Sequence, residues 1–79
     1  MMDVYQLLDI AKETVKNEVN SGEIFMVKDL FRGFEWNRIP VHDRTVLGSM
    51  FLAYAKYEAA SMLALEKKTP QNQQRYKKL

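Results

Sequence analysis

Thr69-Pro70-Gln71-Asn72 divides the last part of this chain into two short runs, and the fold turns on how they are joined. Proline at the second position of a four-residue turn has its φ already set for the geometry. Met62-Leu63-Ala64-Leu65 lies before the turn and Gln73 to Leu79 after it. Local preference favours a helix running on to Lys68, because Ala53 through Lys68 is rich in Ala, Leu, Met, Glu and Lys, all good helix formers. Against that, Leu63 and Leu65 alternate with Met62 and Ala64, and the turn comes directly after them. The preferred reading is a hairpin over 62–79, with Tyr76 packing back. Strand and helix both stay open for residues 59–68.

Upstream, residues 3–19 read as an amphipathic helix. Val4, Leu8, Ala11, Val15 and Val19 recur at three- and four-residue steps, with Leu7 beside them. Asp3 suits the N-cap, and Gln6 three residues later completes a capping box. Lys12, Glu13, Lys16 and Asn17 fall off the apolar line and are expected in solvent. Asn20-Ser21-Gly22 stops the helix, Gly22 taking a positive φ cheaply. Ile24-Phe25-Met26-Val27 has strand composition and can pair with an edge of the later hairpin. Lys28 to Phe34 is expected to form a short helix, with Leu30, Phe31 and Phe34 inward and Gly33 either ending it or turning the chain tightly toward Trp36. Trp36 is expected to plug the junction between helices.

Pro40 suits the first turn of the next helix, where its missing N–H costs nothing. Leu47, Met50, Phe51, Tyr54 and Glu58 then line one side of it. His42, Thr45, Ser49 and Lys56 take the other, with Leu52 and Ala53 alongside. Gly48 inside a helix costs about 0.8–1 kcal/mol relative to Ala, so it is expected to mark close packing on the short helix before it.

The resulting order is helix, strand, helix, helix, strand, strand (α-β-α-α-β-β). That is a mainly α chain with a small β-hairpin, a winged helix-turn-helix-like arrangement. One domain spans 1–79, with its helix-turn-helix at 28–57 and its wing at 62–79. Seventy-nine residues allow no second domain. The chain has 47% hydrophobic residues, too apolar for a disordered polymer. It has no cysteine, so neither disulfides nor a cysteine-based zinc site holds it. No signal-peptide pattern opens it, and no apolar run nears the roughly 18–20 residues a membrane span needs. A cytoplasmic protein is the expectation.

Net charge is +2, unevenly spread. Residues 1–35 carry seven acids against four bases, or −3; residues 36–79 carry three acids against eight bases, or +5. A domain polarised in this way orients itself toward a polyanion despite its modest total charge.

The chain resembles a family of small bacterial and phage proteins, labelled a domain of unknown function and found largely in Gram-positive bacteria and their mobile elements. The resemblance runs from Gly22 to Tyr76 on Phe25, Asp29, Leu30, Phe31, Trp36, Arg44, Leu47, Gly48, Phe51 and Tyr76. It implies a winged helix-turn-helix. The family pattern has a glycine or polar turn between the long helix and the first wing strand, where this chain reads Ala59-Ala60-Ser61.

Catalysis is not expected. His42 is the one histidine, and position 46, where a second metal-binding side chain would stand one helical turn on, is Val. Gly22, Gly33 and Gly48 are isolated and form no phosphate loop. No cofactor or metal is implied. The expected function is nucleic-acid binding, DNA favoured and weakly sequence-specific. The helix from Pro40 would enter a groove through His42, Thr45, Ser49 and Lys56, flanked by Arg38 and Arg44. Lys67, Lys68, Arg75, Lys77 and Lys78 on the wing would meet phosphates, which position a protein without reading sequence. The alternative is an adaptor or accessory subunit docking on a replication or mobile-element enzyme through Leu52 and Ala53. A monomer is the default, and a homodimer through helix 3–19 is the other option.

Overall fold

The structure, a computed structural model, describes residues 2–79. It opens with α1 (Val4–Glu18), whose Asp3 cap and Gln6 exchange the two hydrogen bonds of a capping box, each 2.9 Å long. Leu7, Leu8, Ala11 and Val15 are buried along its apolar line. Lys12, expected in solvent, is half-buried. Its ammonium sits 4.9 Å from the centroid of the Tyr54 ring and 3.8 Å from the Glu58 carboxylate. The long aliphatic stem of a lysine covers apolar surface without burying the charge.

Gly22 turns the chain at φ 90° into β1 (Ile24–Phe25). The next segment departs from the expected helix over 28–34. A 3-10 turn spans Val27–Leu30, held by the Asp29 carboxylate accepting from the Met26 N–H at 2.9 Å. Phe31 is extended, and Gly33 opens α2 (Gly33–Arg38) rather than ending a helix. The shift rotates Phe34 outward: it is 52% exposed, with the Arg38 guanidinium 5.0 Å from its ring centroid. Leu30 is buried as expected, and Phe31 and Trp36 pack together with ring centroids 5.8 Å apart.

Pro40 caps α3 (Val41–Tyr57), one residue before the helix proper. Leu47, Phe51, Tyr54 and Ala55 form its buried face. The helix ends without a glycine. The Tyr54 carbonyl accepts from both Glu58 and Ala59, and the Ala59 carbonyl accepts from both Met62 and Leu63, all at 2.8–2.9 Å. Two doubly used carbonyls turn the chain, with buried Ala59 small enough to sit beneath the turn.

β2 (Leu63–Glu66) and β3 (Arg75–Lys78) form the hairpin, and β1 joins the far side of β3, giving the antiparallel order β1-β3-β2. Propensity therefore loses at residues 63–66. Differences among ordinary helix formers are tenths of a kcal/mol per residue, whereas burying one leucine stabilises by about 1.5–3 kcal/mol, and Leu63 is buried. The tip is the expected turn: Asn72 donates to the Thr69 carbonyl at 2.8 Å and takes φ 66°. Asparagine is among the few side chains that tolerate this left-handed region.

Phe25 and Leu65 flank Tyr76 across the sheet. The Tyr76 ring lies 5.7 Å from Phe25 and 5.0 Å from Phe51, so sheet and α3 share one aromatic core. Three helices and a three-stranded antiparallel sheet in this order fit a winged-helix-like fold.

Candidate nucleic-acid interface

His42, Ser49 and Lys56 are seven residues apart, a spacing that drifts by only about 20° on a straight helix. All three are exposed, as are Thr45 and Ala53, so they form one outward stripe on α3. Beside this stripe runs an open groove of about 570 Å³. One wall comes from α3, with Arg44, Thr45, Gly48, Ser49 and Leu52. The other is the hairpin tip, with Lys68, Asn72, Gln73 and Gln74. Met26–Lys28 and Trp36 border it, and Tyr76 lies between the two walls. Three lining residues (Lys28, Arg44 and Lys68) are cationic, and none is acidic.

The sequence-predicted residues divide over this geometry. Arg44, Thr45, Ser49 and Lys68 line the groove, and Leu52 does too. Leu52 packs partly against the core, so it and Ala53 form no continuous exposed apolar patch. Arg44 is not a free cation. Its Nε donates to the Ile39 carbonyl at 2.8 Å and a terminal nitrogen donates to the Asn37 carbonyl at 3.1 Å, with the Trp36 ring centroid 5.6 Å away. It thus serves carbonyls at the C-terminal end of α2 that have no partner within the helix. Arg38 lies over Phe34 on α2, outside the groove lining.

Lys78 departs furthest from expectation. Its ammonium donates to the carbonyls of Val15, Lys16 and Val19 at 2.7, 3.1 and 2.7 Å, closing the C-terminus of α1. Strand alternation explains the difference from its neighbour: successive side chains point to opposite faces of a sheet. Tyr76 and Lys78 therefore point toward the helices, while Arg75 and Lys77 point to the far face, away from α3. Arg75 also donates from Nε to the Lys67 carbonyl at 2.7 Å, stiffening the hairpin. Lys67 is exposed near the tip.

Lys28, Gln73 and Gln74 carry no signal in the sequence that marks them for this site. Lys28 belongs to the acidic half of the chain and comes to the wing only because β1 pairs with β3. That pairing, Phe25 opposite Tyr76, is the signal that locates it. Gly48 also takes a role other than the expected one. A Cβ built there meets no heavy atom within 4 Å, so no close packing on α2 requires the glycine. Burial pushes the Tyr76 phenol up to about 12, leaving it a neutral hydrogen-bond donor at physiological pH.

Among the described residues no group of three or more His, Cys, Asp or Glu side chains stands together to hold a metal. No helix among them is long and apolar enough to cross a membrane. No curated protein and no solved structure matches the chain. A family described as a domain of unknown function (DUF1413) matches residues 10–78, almost the whole fold from within α1 to the end of β3, and the chain belongs to that family.

Proposed function

We propose that this protein is a non-catalytic nucleic-acid-binding module, with DNA its favoured ligand. The exposed stripe of α3 enters a groove of the nucleic acid, and Lys28, Lys56, Lys67 and Lys68 meet the flanking phosphates. The supporting observation is the acid-free, lysine-bordered groove beside an exposed helix face. Neutralising phosphates releases condensed counterions, which supplies affinity without sequence information. His42, Thr45 and Ser49 lack the bidentate Arg, Asn and Gln contacts that discriminate bases sharply. Recognition by the stripe is therefore weakly sequence-specific.

Docking through Leu52 and Ala53 as an adaptor has less support, since Leu52 is partly committed to the core. The test compares lysines on opposite faces by fluorescence anisotropy with labelled duplex DNA at low salt. Lys28→Gln with Lys68→Gln weakens binding by roughly tenfold or more through lost counterion release. Lys77→Gln, on the far face of the sheet, changes it little. Equal losses from both, or no loss from the double variant, refute the proposed orientation.

A further inference from the structure

Gly48 occupies the middle of a seventeen-residue helix, where glycine is among the worst helix formers. The usual reason for tolerating it is a neighbour too close for a Cβ. Here a Cβ would meet no heavy atom within 4 Å beyond its chain neighbours and the backbone of its own helix, and the residue lines the groove. The space that a side chain would take there opens into the groove.

A second, independent feature points the same way. Tyr76 is 1% exposed, and its hydroxyl makes no hydrogen bond to any described residue. Among the described residues no buried side-chain oxygen lacks a partner, so that hydroxyl is not fully sealed, and Tyr76 lines the groove. A buried phenol usually finds a partner for its O–H; this one is left with a donor to offer. Trp36, Asn72, Gln73, Lys28 and Lys68 line the same groove as Tyr76.

We propose that the groove between α3 and the hairpin tip holds one unpaired nucleotide. The base lies over Gly48 and against the Arg44 guanidinium, which itself covers the Trp36 ring, with its polar edge toward the Tyr76 hydroxyl and the tip amides, and Lys28 and Lys68 hold the adjoining phosphates. A planar base needs an aromatic face or a guanidinium plane to stack on, hydrogen-bonding groups for its edge, and cations for its backbone. An acidic peptide would use the lysines alone. Taking a paired base out of its stack costs a few kcal/mol that an unpaired base does not, so the preferred ligand is single-stranded or locally opened.

This inference rests on the nucleic-acid reading above, and the experiment separates the two. Two labelled duplexes of the same sequence, one carrying a single unpaired thymine bulge, are titrated with wild type, Gly48→Leu and Tyr76→Phe. Wild type binds the bulged duplex about tenfold more tightly, the scale of stacking one base on an aromatic side chain. Gly48→Leu puts a side chain into the groove and erases that preference, so that the variant binds both duplexes alike. Tyr76→Phe keeps the ring and loses the hydroxyl, reducing the preference by about two- to tenfold. Circular dichroism establishes that both variants are folded.

Equal wild-type affinity for both duplexes, or a preference that survives in Gly48→Leu, overturns the nucleotide site and leaves duplex binding standing. Wild type binding neither duplex refutes the parent reading, and this one with it. Competition by polyglutamate as effective as that by oligothymidine assigns the groove to acidic peptides instead.

Discussion

Lys77 and Lys78 are neighbours of the same type, and the structure gives them opposite fates. The Lys78 ammonium holds three carbonyls at the end of α1, at 2.7, 3.1 and 2.7 Å. Hydrogen bonds from a charged donor contribute about 1.5–3 kcal/mol each when sheltered. Favourable placement at a helix C-terminus adds about 0.3–1 kcal/mol. Lys78 is only half-buried and water replaces part of what is lost, so Lys78→Met, which keeps the apolar stem, is expected to cost about 2 kcal/mol in total. A domain of this size has about 4–12 kcal/mol of stability. At about 4–8 °C per kcal/mol, Tm falls by about 8–16 °C. Lys77→Met, exposed on the far face, stays within about 0.5 kcal/mol of wild type. Thermal unfolding followed by circular dichroism reads both. Equal Tm changes in the two variants refute the capping role and the strand alternation behind it.

Gly48→Ala raises Tm by about 4–8 °C in the same assay, since it recovers about 0.8–1 kcal/mol of helix propensity with no clash; a lower Tm would mean the residue is packed after all. Arg44→Lys cannot reproduce the two-pronged grip on the Asn37 and Ile39 carbonyls, so it lowers stability by about 1–2 kcal/mol and shifts the emission of Trp36; an unchanged spectrum counts against the contact. Tyr76 has its folded pKa raised from 10.0 to about 12 by burial. The folded state therefore holds the proton more tightly, and stability is intact below pH 10 and falls as pH rises toward 12. Denaturant titrations across this window show a steeper alkaline loss in wild type than in Tyr76→Phe, and identical profiles would contradict the assignment.

Much of this fold was readable because local and tertiary signals agree. The Asp3–Gln6 box, the Gly22 turn, the apolar line of α1 and the Thr69–Asn72 tip each stand where the residues imply. The aromatic segment was harder. One carboxylate, Asp29, ties the chain into a 3-10 turn and moves the helix start to Gly33, which turns Phe34 outward. A hydrogen bond that sets helix phase leaves no periodic trace. The end of α3 was ambiguous because Ala59-Ala60-Ser61 turns through shared carbonyl acceptors and not through a glycine.

The candidate interface was legible on α3, where helical spacing alone aligns His42, Ser49 and Lys56. It was poorly legible on the wing, where charge counting treats Lys77 and Lys78 alike. Which of them faces the helices depends on strand register. Lys28 reached the groove only through the pairing of two segments some fifty residues apart.

Positive charge gathered on one face is what the proposed function depends on, and a salt titration tests it directly. Duplex DNA affinity, measured over a range of salt concentrations, should fall with a log–log slope of about −3 to −4, as expected when about four lysines displace counterions from phosphates. A slope near zero, or no binding at low salt, would contradict it.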